Sequence, residues 1–505
     1  MIPTLSRRQL LAATTASFGM LAGCSSSLPS TGDSSTTMAA SGSAPTTEPS
    51  NVTATAQSSA VPKDADQQRA LTARTGPISP AGDGDSNPTW LYNGRTPGPE
   101  LRVAESDVLR VDLTNRLPDP TTIHWHGVPL ANPMDGVPNV TQAPVEPDGS
   151  FTYTFEAAPA GTYFYHSHVG LQLDRHLIGP LIVEEESPHV AFDRDIVVLF
   201  NDHLTSAPRP ESKWSTGGGD GMGGGGMSGG GMSGDGMGRN QMGGGMSAAS
   251  RPDYAGLLAN GRLPSNPPEF TVEKGERLRV RFINASGATT FGVGVGGHPL
   301  NITHADGRPV EPVATDSFAF GPGERYDAVV EATNPGVWAI EAQSVDGDES
   351  PASVTLRYEG TTGDPRGPSF DGSQLEYGDL RAVESTEGLQ GSPDRTFDVT
   401  LSAGRDPGTW LIDGQRFPDA DPLQVSAGEH VRLRMRNRSP VVHPMHLHGH
   451  FFRVGDAFKD TVMVPGHIGR VTIDFLADNP GEWLFHCHNI YHLDGGMARI
   501  IEYAD

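Results

Sequence analysis

Leu91-Tyr92-Asn93-Gly94-Arg95 leads through a proline-rich bend into Leu109-Arg110-Val111-Asp112-Leu113 and Asn115. Asn-Gly between apolar runs favours a tight hairpin, because both central residues of such a turn need positive φ. The strict apolar/polar alternation that follows has the period of a strand with one face in a core. The frame returns twice. Leu258-Ala259-Asn260-Gly261-Arg262 precedes Leu278-Arg279-Val280-Arg281-Phe282 and Asn284, and Leu411-Ile412-Asp413-Gly414-Gln415 precedes Val431-Arg432-Leu433-Arg434-Met435 and Asn437. A second signature also occurs three times: Gly161-Thr162-Tyr163-Phe164-Tyr165, Gly336-Val337-Trp338-Ala339-Ile340 and Gly481-Glu482-Trp483-Leu484-Phe485. The simplest solution is an all-β chain of three similar sandwiches with antiparallel strands. Their expected limits are 75–190, 191–360 and 390–505, with a polar linker over 361–389.

Composition agrees. The 505 residues include 63 Gly and 42 Pro, which suits strands and turns better than helical bundles. With 36 Lys+Arg against 61 Asp+Glu the formal charge is −25, which repels polyphosphate and excludes nucleic acid as a natural partner. Only Cys24 and Cys487 are present, so there is no disulfide framework. Arg7-Arg8 stands before an apolar run ending in Leu21-Ala22-Gly23-Cys24, the layout of a twin-arginine signal peptide over 1–23 with a lipoprotein-type cleavage box. Cys24 is then the expected lipidation site. The Ser/Thr-rich stretch that follows, to residue 74, reads as a tether with too little apolar surface to fold. The chain is therefore expected to be exported, lipid-anchored in a bacterial cell envelope or periplasm, and monomeric.

Nine residues after Asn115 stands His124-Trp125-His126-Gly127, and nine after Asn437 stands His446-Leu447-His448-Gly449. The same slot after Asn284 holds Val293-Gly294-Val295-Gly296. The second signature behaves alike, running into His166-Ser167-His168 and His486-Cys487-His488 in the outer copies and Glu341-Ala342-Gln343 in the middle one. Side chains at i and i+2 of a strand share a face, so each pair aims two imidazoles the same way. Eight imidazoles without carboxylates suit copper better than zinc, whose sites close at four ligands. The middle copy reads as a spacer. Cys487 points opposite to its neighbours, where it can meet His443, His492 and Met497. Two His, a thiolate and a weak axial thioether describe a blue-copper electron-transfer site. Ten of the 18 histidines fall in these motifs. The others, including His176, His203, His304, His450 and His467, read as ordinary core or surface residues.

With HWHG, HSH, HPMHLHG and HCHNIYHLDGGM in hand, the sequence resembles the three-domain multicopper oxidases, the family of laccases and bacterial copper-resistance oxidases. The resemblance covers roughly 75–505. It implies cupredoxin-like Greek-key sandwiches, four copper ions, and reduction of O₂ to water by one-electron donors. By the same resemblance His124 and His446 bind a type 2 copper, and His126, His166, His168, His448, His486 and His488 bind a type 3 pair. His443, Cys487, His492 and Met497 hold type 1. Asp135, in Met134-Asp135-Gly136, matches an acid that such enzymes use to deliver protons. Many bacterial relatives carry Glu where this chain has Leu493, with Asp494 next to it, which puts a second carboxylate relay in doubt.

Within the insert 215–248, residues 217–246 are mostly Gly and carry Met222, Met227, Met232, Met237, Met242 and Met246. Thioethers are soft donors that prefer Cu(I), so the insert is expected to recruit cuprous ion, with Asp460 and Met463 as further docking candidates. The favoured reading is a cuprous oxidase for copper tolerance. A laccase acting on small phenols is the alternative, and a copper-buffering envelope lipoprotein without turnover is the rival from another class.

Overall fold

The three-fold repeat becomes three pairs of sheets. The computed structural model describes residues 61–62, 64–84, 86–214, 251–383 and 388–504. The signal segment, Cys24, most of the tether and the six methionines of the insert lie outside the described residues. Among those residues the first part of the chain builds two four-stranded sheets, the middle two six-stranded sheets, and the last a six- and a five-stranded sheet. Strand Gln67–Ile78 opens the first sandwich, ahead of the expected limit at 75. The segment expected as a linker adds Gln374–Leu375 to a middle-domain sheet, pairing with Ser317–Phe320.

The repeated alternating strands are not purely antiparallel. Val108–Arg116 runs antiparallel to Ser150–Glu156 but parallel to Gln67–Ile78. Arg277–Asn284 and His430–Asn437 likewise have one parallel neighbour and one antiparallel neighbour. Alternation reports one buried face and carries no strand direction, so it could not separate these cases. The turns keep the expected conformation, with Asn93, Asn260 and Asp413 and the glycine after each at positive φ.

The repeated asparagines are pins. Asn115 Nδ2 donates to the Asp119 and Val145 carbonyls, Asn284 Nδ2 to those of Thr289 and Phe320, and Asn437 Nδ2 to those of Val441 and Val464. Each Oδ1 accepts the backbone N–H two residues on. One buried amide thus fixes the loop leading to the next strand, which in the outer copies carries His-x-His. The aromatic of the second signature is tethered as well: Tyr163 Oη, Trp338 Nε1 and Trp483 Nε1 each donate to the carbonyl four residues back.

The cores place the site. Leu71, Val111, Trp125 and Tyr165 belong to the same apolar cluster as Leu433, Met445, Trp483 and Cys487, so the first and third sandwiches share one core. The middle sandwich keeps its own, around Phe282, Phe291, Phe318 and Phe320.

Candidate metal centre

The His-x-His strands lie beside one another in register. His124 pairs with His166 across one ladder, and His446 with His486 across another, while Met445 faces Cys487. In the middle copy the equivalent ladder pairs Gly294 with Glu341. The eight imidazoles of the outer copies meet at the seam between the first and third sandwiches. His168, His448 and His486 bring ring nitrogens within 4.8 Å of one another, as do His124, His446 and His448. The rings of His126, His166 and His488 gather at centroid separations of 4.8–5.9 Å.

Backbone carbonyls choose which nitrogen faces inward. His124 Nδ1 donates to the Asp135 carbonyl, His446 Nδ1 to that of Asp460, His166 Nδ1 to that of Ser167 and His486 Nδ1 to that of Cys487, each at 2.9 Å. The opposite nitrogens of His124, His166 and His446, with Nε2 of His168, Nδ1 of His126 and both nitrogens of His488, are buried without a hydrogen-bond partner among the described residues. An unpartnered buried ring nitrogen is costly unless something accepts its lone pair. Burial first, and neighbouring imidazoles second, hold His126, His166, His168, His448, His486 and His488 well below the usual histidine range, so they stand neutral. Convergent neutral imidazoles with free lone pairs fit a cluster of borderline-soft metal ions.

Two carboxylates sit in related places behind this cluster. Asp135, 1% exposed, accepts from His448 Nδ1 at 3.0 Å and lies 3.1 Å from His124 Nδ1. Asp460, 0% exposed, has Oδ1 3.2 Å from His126 Nε2 and takes a two-point ion pair from Arg325 at 2.8 and 2.6 Å. Asp460 is therefore no docking residue for a metal arriving from solvent. Its position after Lys459 in the sequence gave no sign that a middle-domain arginine covers it. Met463 is half-buried and pairs with Pro444, next to His443.

The second site lies within the third sandwich. Nδ1 of His443 and of His492 are 3.0 Å apart, and Cys487 Sγ is 3.5 and 3.4 Å from them. His443 Nε2 bonds Ser439 Oγ at 2.8 Å, which leaves Nδ1 facing the sulfur. Asn489 caps the short helix Ile490–Asp494, its side chain accepting from the Tyr491 and His492 amides, and this turns His492 back toward Cys487. Met497 is fully buried, bonded through its backbone to both Cys487 and His492. Burial pushes the His443 imidazole down to about 3 and pushes the Cys487 thiol up. Two neutral imidazoles and a thiol that must lose its proton to a metal fit a blue-copper site.

Trp410, which the sequence did not single out, lies over this site, its ring 4.0 Å from that of His492. Its indole N–H donates to Glu211 Oε2 at 2.6 Å. Leu493 lines a cleft with His166, His168, His486 and His488, so no carboxylate stands there. Asp494 is exposed. Of the histidines read as ordinary, His450 is buried, bonding Tyr503 Oη at 2.6 Å.

Three stretches of the chain, 73–188, 234–361 and 391–505, match family models described as multicopper oxidase. A multicopper oxidase of Mycobacterium tuberculosis, MmcO, is 34% identical over 82% of this chain and 83% of its own length. Copper resistance protein A of Escherichia coli is 27% identical over 82% and 89%. Laccase-3 of Thanatephorus cucumeris is 27% identical over 86% and 90%. Among solved structures, a multi-copper oxidase from Pseudomonas thermotolerans superposes with a TM-score of 0.66 at 26% identity, over 87% of this chain and all of that one. Fet3p, a multicopper oxidase that functions in iron import, superposes at 0.72 with 20% identity, over 87% and 90%.

Proposed function

The chain belongs to the multicopper oxidases, and from that premise we propose that its electron donor is cuprous ion. It is an oxidoreductase with three cupredoxin-like domains and four coppers, one of type 1, one of type 2 and a type 3 pair. In our reading His443, Cys487, His492 and Met497 hold type 1, and His124 and His446 hold type 2. His126, His166 and His488 hold one type 3 ion; His168, His448 and His486 hold the other. The bound coppers supply one-electron transfer from the donor and reduction of dioxygen to water. The chain's part is to bind, orient and connect. Cys487 joins the two sites covalently, since its neighbours His486 and His488 belong to the cluster. Asp135 fixes the tautomers of His124 and His448 and holds a carboxylate where protons are consumed.

One observation carries the cuprous reading. Residues 211–214, which precede the methionine-rich insert in the sequence, are held beside the proposed type 1 ligands by the Glu211–Trp410 hydrogen bond. Similarity to copper resistance protein A supports a role in copper tolerance, which fits that donor. Similarity to laccases favours small phenols as the second reading. We further propose that the chain is exported by the twin-arginine route, anchored through lipid on Cys24 in a bacterial envelope, and monomeric.

Oxygen uptake tests the donor. With the six insert methionines changed to Ser, apparent affinity for Cu(I) is expected to fall while phenol oxidation holds or rises. Unchanged cuprous oxidation would remove the insert from the mechanism. For the anchor, Cys24→Ser is expected to leave a soluble or unprocessed protein, and a processed variant still in the membrane fraction would refute lipidation.

A further inference from the structure

The middle sandwich carries none of the proposed copper ligands, yet it reaches the cluster. Its Arg325, fully buried, touches all three domains. Nη1 and Nη2 bond the two Asp460 oxygens at 2.8 and 2.6 Å, Nη1 donates to the Gly323 carbonyl, and Nε to the Thr162 carbonyl of the first sandwich. A second turn of the middle sandwich, between strands Leu300–Ala305 and Arg308–Thr315, grips the segment around Asp460 together with Glu324. Asp306 accepts the backbone amides of Asp460 and Thr461 at 3.2 and 3.1 Å, and Lys459 Nζ lies 3.1 Å from both Asp306 and Glu324. A β-carbon at Gly323 would sit 3.0 Å from atoms of His126 and His488, so this middle-domain loop abuts two cluster imidazoles. Gly127, the glycine of HWHG, has positive φ, and a β-carbon there would strike the Arg325 guanidinium.

The tautomer of His126 depends on this grip. Its Nδ1 is the nitrogen without a partner, which places the proton on Nε2. Asp460 Oδ1 and Thr461 Oγ1, each 3.2 Å away, are there to accept it, the Thr461 hydroxyl itself donating to Asp460 Oδ1. A lone carboxylate can swing; one held at both oxygens by a planar fork cannot. We propose that Arg325 is a positioning residue of the three-copper cluster: it fixes Asp460 against His126, so the cluster binds copper firmly only with the middle domain docked, while type 1 loads without it. This rests on the ligand assignment above, though not on the identity of the donor. Type 1 draws every ligand from the third sandwich, whereas the cluster is completed by contacts from all three.

The test uses the full chain as wild type, Arg325→Met, Arg325→Lys and Arg279→Met, loaded with copper and passed through gel filtration with chelator. Arg279 is an equally buried middle-domain arginine, paired with Asp327 and Glu185 and away from Asp460, so its variant reports general destabilisation. Copper per chain, the blue absorption and the type 2 electron paramagnetic resonance signal are read together. For Arg325→Met the blue absorption per chain is expected at the wild-type level, with more than half of the type 2 signal lost and copper falling from four per chain toward one. Arg325→Lys, a point charge that cannot hold both oxygens, is expected to keep more copper with a shifted type 2 hyperfine splitting. Arg279→Met should match wild type in all three. Wild-type copper and an unshifted type 2 signal in Arg325→Met, or equal losses in Arg279→Met, overturn the inference. If Arg325→Met does not fold, Arg325→Lys decides: a shifted type 2 signal with the blue absorption intact supports it, and a wild-type spectrum overturns it. A wild-type protein with neither signal would instead refute the ligand assignment.

Discussion

Cys487 is the one side chain whose chemistry no neighbour can replace. It is fully buried, its thiol is pushed up by that burial, and both imidazoles near its sulfur are neutral. A copper held there would have to displace the thiol proton. Cys487→Ser is therefore expected to abolish the intense blue thiolate-to-copper absorption and all donor oxidation, while sandwich packing keeps the fold. A blue, active variant would sink the type 1 assignment. Met497→Leu would remove the proposed thioether ligand of type 1, a weak donor that would favour the cupric state. Its type 1 potential should rise, and a redox titration giving an equal or lower value would take Met497 off the ligand set. Asp135→Asn tests a different role. An amide can still accept from His448 Nδ1 but carries no charge and holds no acidic proton. Copper content is expected to stay near wild type while turnover falls on the order of tenfold, the low end for an outer partner of metal-bound histidine. Loss of copper in step with activity would mean that Asp135 matters for assembly alone.

At the scale of elements, the informative part is the 3-10 turn Gln172–Arg175 that follows His168. Its Asp174 accepts from the hydroxyls of Tyr491 and Tyr254 at 2.5 and 2.8 Å, joining the first sandwich to the third and the middle ones. Burial, reinforced by the Asp202 carboxylate, pushes Asp174 up to about 7. An unfolded aspartate titrates near ~4, so between there and about 7 the folded chain holds a proton that the unfolded chain has released. Stability contributed by this group falls as pH rises through that window, by at most about 1.4 kcal/mol per pH unit. Asp174→Asn should flatten that part of the profile, and urea midpoints with the same slope in both proteins would reject the assignment. Such seams also mark what the sequence could express. The His-x-His pairs were legible because a strand has period two, so two imidazoles in phase show on the page. The repeated Asn and the Asn-Gly turns were legible because each copy needs the same pin and bend. Arg325, Asp306 and Glu211 were not, because a contact between domains has no period and each looks like any other charged strand or loop residue. Asp460 was noticed for the wrong reason. A carboxylate beside a lysine near type 1 resembles a metal-docking site until the buried guanidinium opposite it is seen.

For the whole molecule, the separation between a site built within one domain and a cluster built between two has a thermodynamic consequence. A ligand that binds only the folded state stabilises it by an amount set by its concentration over Kd, about 4 kcal/mol at a thousandfold excess. With type 1 copper held as proposed by His443, Cys487, His492 and Met497, that ion would stabilise only the third sandwich, because all four come from it. The proposed cluster ligands come from the first and third sandwiches, which already share one apolar core, so coppers bound there would oppose their separation. Removing all copper with a chelator should therefore lower the unfolding temperature by several degrees and broaden the transition as the domains lose cooperativity. Cys487→Ser, which lacks only type 1, is expected to keep most of the stabilisation, with a transition close to that of the loaded wild type. Scanning calorimetry on loaded wild type, copper-free wild type and loaded Cys487→Ser separates the contributions. If Cys487→Ser unfolded like the copper-free chain, type 1 would be the stabilising metal, and the cluster could not be the bracket between domains that its ligand geometry requires.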